Sequence, residues 1–408
     1  MINQSSLLRL FILLISISGI TRVFFSTQTP ATIVSMIAGY IGSLLLIIFF
    51  KNHKFESIEK KKLLYYFLLY SIAIFIYSLV VSESYEQLRY VFSVYLPSLV
   101  LPFVAIISSD IKWVLFFIKN SLVISIPLSV FIYFSDLKGM SDFTHYVSFI
   151  YVLLLFLPYL KIKWKIIILS ISLISFFYDL ESRSNLLNLS FLLILFLMSY
   201  FKKLNFKTFF NSLRIILISL LIIFVVLAFF GINIFLLSDG FEDDYVINGT
   251  ENKNISLLND SRTDVYIDAI NGVAKNNDYL FGLSPAGYHD TFLQDLLGNS
   301  TDTFLAKGRL GSEVGILEYY LWGGGIFVIL IFFIYFYASK YAINRSNNLL
   351  CKYLGVYVAF RLLFLFIEGQ PHLNLSNIST FMVIGLCLSN SFRLLSDKDI
   401  KFILKKHL

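Results

Sequence analysis

The chain has 408 residues, of which 57% are hydrophobic and only 14% are charged. Soluble domains carry roughly 25% charged residues, so this composition excludes a soluble globular enzyme and indicates an integral membrane protein. The formal net charge is +7; we interpret the positive surplus as a sign of membrane orientation and expect no nucleic-acid partner.

Apolar runs recur along the chain, close to the length of about 20 residues with which a helix crosses the hydrocarbon core of a bilayer. Twelve such runs lie at 7–25, 31–50, 63–81, 88–108, 113–134, 144–160, 164–180, 185–201, 212–237, 314–338, 349–367 and 373–390. The first run lacks an A-x-A-like cleavage site and is followed at once by the second, so we expect a helix there and not a signal peptide. The sequence therefore predicts an all-α polytopic membrane protein with about twelve transmembrane helices.

One long polar stretch, residues 238–312, interrupts these runs. It holds 12 acidic and 5 basic residues, which makes it net −7 in a chain that is net +7. We predict four regions: transmembrane helices 1–9 in 1–237, an extracytoplasmic loop in 238–312, helices 10–12 in 313–390 and a basic amphipathic tail in 391–408. Any chemistry is expected where the loop meets the outward ends of the helices.

Lysine and arginine cluster in alternate short loops, and with twelve spans every cluster falls on one side of the membrane, together with both termini. The basic clusters lie at 51–62, 161–165, 202–207, 340–345 and 393–406. Because basic loops stay in the cytoplasm, we predict cytoplasmic termini and an external loop. The tail mixes apolar and basic residues, which is typical of an amphipathic segment on the inner leaflet.

Arginines on the outer side are candidate anion ligands, since the planar guanidinium binds phosphate oxygens bidentately. They are Arg22, Arg89, Arg183, Arg262, Arg309 and Arg361. The alternative is that they anchor the protein at the interface or pair with nearby carboxylates such as Asp179 and Glu181. Arg361 differs because it lies inside a predicted span, where a charge is costly and indicates a functional site. Glu368 shares its helical face, but the two pair directly only if the helix end bends.

The polar loop has its own predicted elements. A helix beginning at Asp260 or Ser261, with Ser261 and Asp264 spaced as a capping box, would bury one apolar stripe. The stripe consists of Val265, Ala269, Ile270, Val273 and Ala274. Gly272 allows close packing beside this stripe.

The rest of the loop is predicted to be less regular. Residues 281–287 are expected to form a turn, and a short helix is expected around 290–297. Residues 238–258 are expected to be irregular, and Gly308, Gly311 and Gly315 suit close backbone approach. The alternative is a passive cap over the helices.

Three segments carry a family resemblance: SRTDVYIDAINGVAKNNDYLFGLSP (261–285), ESRSN (181–185) and SEVGILEYYLWGGGIFVIL (312–330). These segments resemble motifs of bacterial Wzy-type O-antigen polymerases and the related O-antigen ligases. The first resembles the outer-loop signature of that family and the second its Ser-Arg-Ser motif. The third resembles the segment that re-enters the membrane, with its glycine-rich helix start. Nine residues separate Arg262 from Gly272, where one form of the family has ten. The His-Asn pair of the ligases is absent, which favours a polymerase.

The resemblance implies a GT-C-like membrane glycosyltransferase on the outer face of the bacterial inner membrane. Such enzymes join oligosaccharide repeat units carried on undecaprenyl pyrophosphate, and this lipid-linked oligosaccharide is both the donor and the acceptor. An acceptor hydroxyl attacks the donor anomeric carbon and the pyrophosphate leaves, so neither a cofactor nor a metal is expected. A chain-length regulator protein and the lipid bilayer are the implied partners.

This chemistry needs cations for the departing diphosphate and a base for the hydroxyl. Arg183, Arg262 and Arg361 are the first candidates for the diphosphate, with Arg309 and Arg89 in reserve. Arg262 is also predicted to be catalytic. The candidate bases are led by Glu313 and His289, ahead of Glu318, Glu368 and His372. Alternatively, Glu313 caps the N-terminus of the re-entering helix and His289 is an ordinary surface residue.

Two other functions stay open. A lipid-linked glycan flippase or another transporter also has about twelve spans, but needs no 75-residue outer loop. An O-antigen ligase would transfer finished glycan to a different acceptor. The product discriminates among the three: a polymer ladder, no new glycosidic bond, or a glycan moved to another acceptor.

Overall fold

The computed structural model describes residues 4–25, 29–52, 58–134, 147–178, 182–199, 206–230, 246–247, 255–256, 262–291 and 308–407. The helices there are α1 Gln4–Phe25, α2 Thr29–Asn52, α3 Lys61–Val81, α4 Tyr85–Ile107, α5 Ile111–Phe134, α6 Ser148–Tyr159, α7 Ile162–Tyr178, α8 Arg183–Met198, α9 Phe206–Phe229, α10 Arg262–Lys275, α11 Gly315–Asn344, α12 Leu349–Phe364, α13 Leu375–Leu388, α14 Asn390–Leu394 and α15 Asp397–His407. The strands are β1 Val246–Ile247, β2 Ile255–Ser256, β3 Tyr288–His289 and β4 Arg309–Leu310.

The helical prediction agrees with these elements, since each predicted apolar run overlaps a helix. Among the described residues, four helices are long and apolar enough to cross a membrane: α3, α4, α9 and α11. Shorter apolar helices accompany them. The chain is thus mainly helical, as a membrane protein of this class requires, while the number of twelve spans stays a prediction.

The strands add little to this architecture. β1 pairs with β2 and β3 with β4, both antiparallel and each only two residues long. The first pair lies at 246–256, within the stretch that the sequence predicts to be irregular, so that prediction was wrong at these four residues. The short helix predicted around 290–297 lies almost wholly outside the described residues.

Two helices form the centre of the bundle. Almost every residue of α12 and α13 is buried, and these helices pack against each other and against α11. The helices at the periphery of the bundle instead expose large apolar side chains such as Leu69, which is 62% exposed, and Ile76, which is 57% exposed. Because exposed apolar surface of this extent is unfavourable in water, its natural surroundings are lipid.

The first part of α4 contacts the outer loop. Ser84 and Gln87 form a capping box at its start, in which each side chain bonds the other residue's backbone. A π-helical turn at Val91–Tyr95, followed by Pro97, makes the helix irregular. The amide of Gln87 also donates a 2.7 Å hydrogen bond to the Ala286 carbonyl, so this end of the bundle is the end that holds the loop.

The opposite end of the bundle is closed by ion pairs and by the C-terminal tail. Arg393, only 1% exposed, donates to one oxygen of Glu59 at 2.6 Å, and Arg345 donates to the other at 2.9 Å. The helix α15 buries Ile400 and Leu404 and leaves Phe402 exposed. The tail is therefore amphipathic as predicted, but its buried stripe packs on the protein, because it contacts α5 and α6.

Candidate functional site

The helix α10 of the polar loop packs its predicted stripe against the helical bundle. Ala269 and Val273 are completely buried. Tyr266, which the sequence reasoning missed, is also buried: its hydroxyl donates a 2.5 Å hydrogen bond to the Phe366 carbonyl and its ring contacts the Phe366 ring. Gly272 faces His289, where an added Cβ would lie 2.6 Å from the histidine Cβ. The prediction of close packing at Gly272 is confirmed.

The turn after α10 rests on a break in α11. The backbone leaves helical geometry at Gly323 and Gly324, so the hydrogen-bonding groups around them lose their partners within the helix. The outer segment replaces these partners in the bonds Leu283 N–H to Leu321 O at 2.7 Å, Gly325 N–H to Tyr279 O at 2.8 Å and Ile326 N–H to Leu280 O at 3.3 Å. The predicted turn at 281–287 is thus joined to the membrane helix by backbone bonds.

Two helical segments meet at Gly323 and Gly324: one begins at Gly315 and the other follows Gly324. The glycine-rich helix start that the sequence suggested therefore agrees with the second segment. Gly282 and Gly324 both have positive φ, at 70° and 61°, and a Cβ on either would overlap the backbone of the other segment. Only glycine allows both this conformation and this approach.

The hairpin β3–β4 brings three predicted site residues together. His289 pairs with Arg309 across the strands, and Arg309 Nη2 lies 2.9 Å from Glu313 Oε1. The side chain of Glu313 is 67% exposed. No side chain caps the N-terminus of α11, so the alternative in which Glu313 caps this helix is wrong. The hairpin thus presents one exposed carboxylate beside one guanidinium.

His289 is buried and not the surface residue of the alternative interpretation, with only 4% of its area exposed. Burial and the positive charge of Arg309 lower the pKa of His289 from 6.5 to about 4. Its Nδ1 has no hydrogen-bond partner within the described part of the chain. An imidazole with this pKa stays neutral near pH 7 and is a weak proton acceptor, because a general base works best with a pKa near the working pH.

Glu318 is the most enclosed carboxylate of the region, with none of its surface exposed. One of its oxygens accepts a short hydrogen bond from the Tyr90 hydroxyl and the other accepts one from the Ser312 backbone N–H. Gly311, at φ 75°, approaches the same hydroxyl so closely that a Cβ would overlap it. Glu318 therefore ties the returning loop to α4. The sequence indicated Glu318 because it is a single acidic residue within an apolar run. Nothing in the sequence indicated Tyr90 as its partner.

Arg361 is a buried cation that has no carboxylate partner among the described residues. It lies in the last turn of α12, is 5% exposed, and its guanidinium stacks 4.9 Å from the centre of the Phe364 ring. Among the described residues it forms no ion pair, not even with Glu368, and its Nε has no hydrogen-bond partner. A Cβ added to Gly369 would lie 3.8 Å from Arg361 Nη2. The carbonyl oxygen of Gly369 lies against Gly315, the first residue of α11. The guanidinium is therefore close to where the loop enters α11.

Arg183 and Arg89 are less enclosed than Arg361. Arg183 begins α8 and Arg89 lies near the start of α4, both with exposed side chains. Within the described residues, no hydrogen bond, ion pair or ring contact joins Arg89 to the hairpin. Arg262 is the first residue of α10, while its side chain, that of Arg22 and the residues Asp179 and Glu181 lie outside what the structure describes. Their predicted roles stay predictions.

Two reserve bases lie in the segment between α12 and α13. Glu368 N–H donates to the Phe364 carbonyl at 2.9 Å, and the backbone carbonyl of His372 accepts from the Asn377 amide at 2.8 Å. Gln370 in the same segment donates to the Ser312 carbonyl at 2.8 Å. This segment therefore packs beside the loop entry, next to the hairpin.

No group of three or more histidine, cysteine or acidic side chains among the described residues is arranged to hold a metal ion. Cys351 and Cys387 are buried free thiols. Comparison with known proteins gives no match to a family model, to a curated protein or to a solved structure.

Proposed function

We propose that this protein is a membrane glycosyltransferase that polymerises oligosaccharide repeat units carried on undecaprenyl pyrophosphate, at the outer face of the bacterial inner membrane. The observation that carries the proposal is the position of Arg361: a buried guanidinium without a carboxylate partner in the described residues lies where the loop enters α11. A buried charge without a counter-ion is costly. An anionic ligand at the loop entry would supply that counter-ion, and a lipid diphosphate has the negative charge and the pairs of oxygens that the planar guanidinium binds with two parallel hydrogen bonds.

The position of Arg361 fits a substrate that is partly embedded in lipid. The guanidinium lies beside the segment 312–316, where the loop returns to the membrane. A lipid-linked sugar at this boundary would have its alkyl chain among the helices, its diphosphate at the boundary and its sugars against the loop. Arg309, on the hairpin, is the second cation available on the loop side, and Arg262, Arg183 and Arg89 stay candidates for additional contacts.

The reaction breaks one bond and forms one. The acceptor hydroxyl oxygen attacks the donor anomeric carbon, a glycosidic C–O bond forms, and the bond from that carbon to the pyrophosphate oxygen breaks. The pyrophosphate leaves with the electron pair, and its growing negative charge is stabilised by guanidinium groups. The hydroxyl proton needs an acceptor.

Among the candidate bases, Glu313 is the best placed to accept that proton. Its carboxylate is exposed and lies beside Arg309. Both oxygens of Glu318 are already occupied by hydrogen bonds, and His289 is too weakly basic, with a pKa of about 4. We therefore assign Glu318 a positioning role and Glu313 the role of base.

The direct test is a reconstituted reaction. Purified full-length protein in liposomes is supplied with undecaprenyl-pyrophosphate-linked repeat units, and the products are separated by size. A ladder of increasing length supports the proposal. Transfer of glycan only to a different acceptor would identify a ligase. Movement of lipid-linked units across the bilayer without a new glycosidic bond would identify a flippase.

Arg361→Met is the corresponding variant. Loss of a charged hydrogen bond to the departing group costs about 2–4 kcal/mol, so polymerisation should fall about 30- to 1,000-fold, with weaker donor binding. The matched control is Arg214→Met. Arg214 is also a buried arginine, at 6% exposure, but its guanidinium stacks on Phe336 towards the other end of α11. The control should keep the wild-type rate. Full activity in Arg361→Met would remove Arg361 from the site.

A further inference from the structure

A groove lies between the start of α3 and the later half of α11, far from the loop. It has a volume of about 550 Å³, within the range of small-molecule sites. Its walls include Lys60, Lys61, Lys62, Tyr66, Phe333 and Tyr337. One wall is therefore cationic and the other aromatic and apolar.

The groove lies at the opposite membrane boundary from the loop. The 21 residues of α3 span roughly 31 Å at 1.5 Å per residue, which matches the hydrocarbon thickness of a bilayer. The far end of α3 leads into the Ser84–Gln87 capping box, which contacts the loop at Ala286. The lysines at the near end thus lie about one bilayer thickness away, at headgroup level.

Among the described residues, the three lysines have no counter-ion. Within the described residues none of them forms an ion pair, and the adjacent carboxylate, Glu59, is already bound by Arg345 and Arg393. Lys60 Nζ lies 4.7 Å from the centre of the Tyr337 ring, which holds its charge over the groove wall. No side chain caps the start of α3. The charge of the three lysines is therefore not neutralised by any residue that the structure describes.

The apolar wall continues from the lysines towards the middle of the membrane. Tyr66 is 58% exposed, Phe333 is 38% exposed and Ile329 is 54% exposed. Ile329, Phe333 and Tyr337 are spaced four residues apart on α11 and so follow one face of that helix. A ligand that matches both walls has an anionic head and an alkyl chain.

We propose that this groove is a binding site for an anionic phospholipid. Its phosphate contacts the ammonium groups of Lys60, Lys61 and Lys62, and one acyl chain lies along Phe333 and Ile329. Basic pockets between membrane helices recognise anionic headgroups in this way. The site is separate from the sugar-transfer site and does not depend on the reaction proposed above.

The test uses the purified full-length protein in a neutral detergent. Thermal unfolding is followed with phosphatidylglycerol, with phosphatidylcholine of the same chain length, or with inorganic phosphate. Phosphatidylglycerol should raise the unfolding temperature, and native mass spectrometry should show it bound. Phosphatidylcholine lacks the net charge and inorganic phosphate lacks the chain, so neither should match it. Equal stabilisation by the two lipids, or by phosphate alone, would overturn the proposal.

Two triple variants locate the site. Lys60→Gln, Lys61→Gln and Lys62→Gln together should weaken phosphatidylglycerol binding by about fivefold for each lysine, and so on the order of 100-fold. The control changes Lys161, Lys163 and Lys165 to Gln in another basic loop with the same loss of charge, and should bind like wild type. Equal weakening in both variants would show a diffuse charge effect and no site. Since the lipid comparison needs only the wild type, it decides the proposal even if the first variant fails to fold.

Discussion

At the scale of single residues, three buried polar groups beside the loop entry differ in how they are satisfied. Glu318 has a hydrogen bond on each oxygen, His289 is buried and neutral, and Arg361 has an aromatic neighbour but no carboxylate within the described chain. A satisfied buried group stabilises a fold, whereas an unsatisfied one is costly. Glu318 therefore belongs to the scaffold, and Arg361 is the group that a ligand would complete.

The Glu318–Tyr90 bond should appear as a coupling energy. Glu318→Gln and Tyr90→Phe should each lower the free energy of unfolding by about 1–3 kcal/mol. The double variant should lose less than the sum, with an interaction energy of about 0.5–3 kcal/mol, measured from unfolding in detergent. As a control, Tyr357→Phe removes a hydroxyl that contacts Thr380 instead, and its effect should add to that of Glu318→Gln. Additive effects of Tyr90→Phe and Glu318→Gln would contradict the coupling.

The pKa of His289 predicts a pH dependence. Because this pKa is lowered from 6.5 to about 4, the unfolded chain binds a proton below pH 6.5 that the folded hairpin does not. Hairpin stability should therefore be unchanged above pH 6.5 and should fall as the pH drops from 6.5 to 4, by up to about 3 kcal/mol. Hydrogen exchange of the hairpin amides measures this. His289→Gln should remove the dependence; a slope that persists in this variant would assign it to another group.

At the scale of elements, the break in α11 determines where the loop lies. Residues 325–344 after the break are long enough, at roughly 30 Å, to cross the hydrocarbon core alone. The segment Gly315–Trp322 before the break is therefore not needed for the crossing and lies on the loop side of the break. The outer segment 279–283 bonds to the break, and the Tyr70 hydroxyl donates a 2.7 Å bond to the Gly323 carbonyl. The loop is thus attached to the membrane domain through backbone hydrogen bonds. These bonds position the loop side chains relative to the membrane helices.

Alanine at either contact glycine should undock the loop. Gly282→Ala and Gly324→Ala each place a Cβ at positive φ against opposing backbone; strain alone costs about 1–2 kcal/mol, and the overlap adds to it. Limited proteolysis should cut residues 262–291 faster in both variants. Gly325→Ala is the matched control, because a Cβ there would be 3.4 Å from its nearest neighbour, an ordinary contact. Equal proteolysis of all three variants would argue against docking at the break.

At the scale of the whole molecule, the two ends of the bundle differ in chemistry. One end holds α10, the hairpin and Arg361. The other holds the Glu59 ion pairs, the lysine groove and the tail helix. In the predicted orientation the basic end faces the cytoplasm, and the difference between the two ends gives that orientation a direct test.

Cysteine labelling measures the orientation. Lys275 is exposed, with 72% of its side chain accessible, and lies on the loop; Lys163 is exposed at the start of α7. Lys275→Cys should react with an impermeant thiol reagent in intact cells, whereas Lys163→Cys should react only after permeabilisation. The native thiols Cys351 and Cys387 are buried and should contribute little signal. The reverse pattern would place the loop in the cytoplasm and would rule out the proposed site.

The sequence by itself determined the features that depend on local periodicity and composition. Apolar runs predicted the helices, the spacing of Ala269 and Val273 predicted the buried face of α10, and the glycines marked positions of close approach. These properties follow from neighbours a few residues away, since helix geometry brings such residues onto one face. The local pattern also placed Arg361 inside an apolar run.

Only the tertiary structure decided which distant residues meet. Tyr90 bonds to Glu318, which lies 228 positions later in the chain. Residues 279–283 supply hydrogen-bond partners at the break in α11. Glu368 does not pair with Arg361, although the two share a predicted helical face. Contacts of this kind depend on how helices pack against one another, and the burial that results lowers the pKa of His289. Helical spacing carries no information on such packing, because each helix presents a face without specifying the partner that covers it.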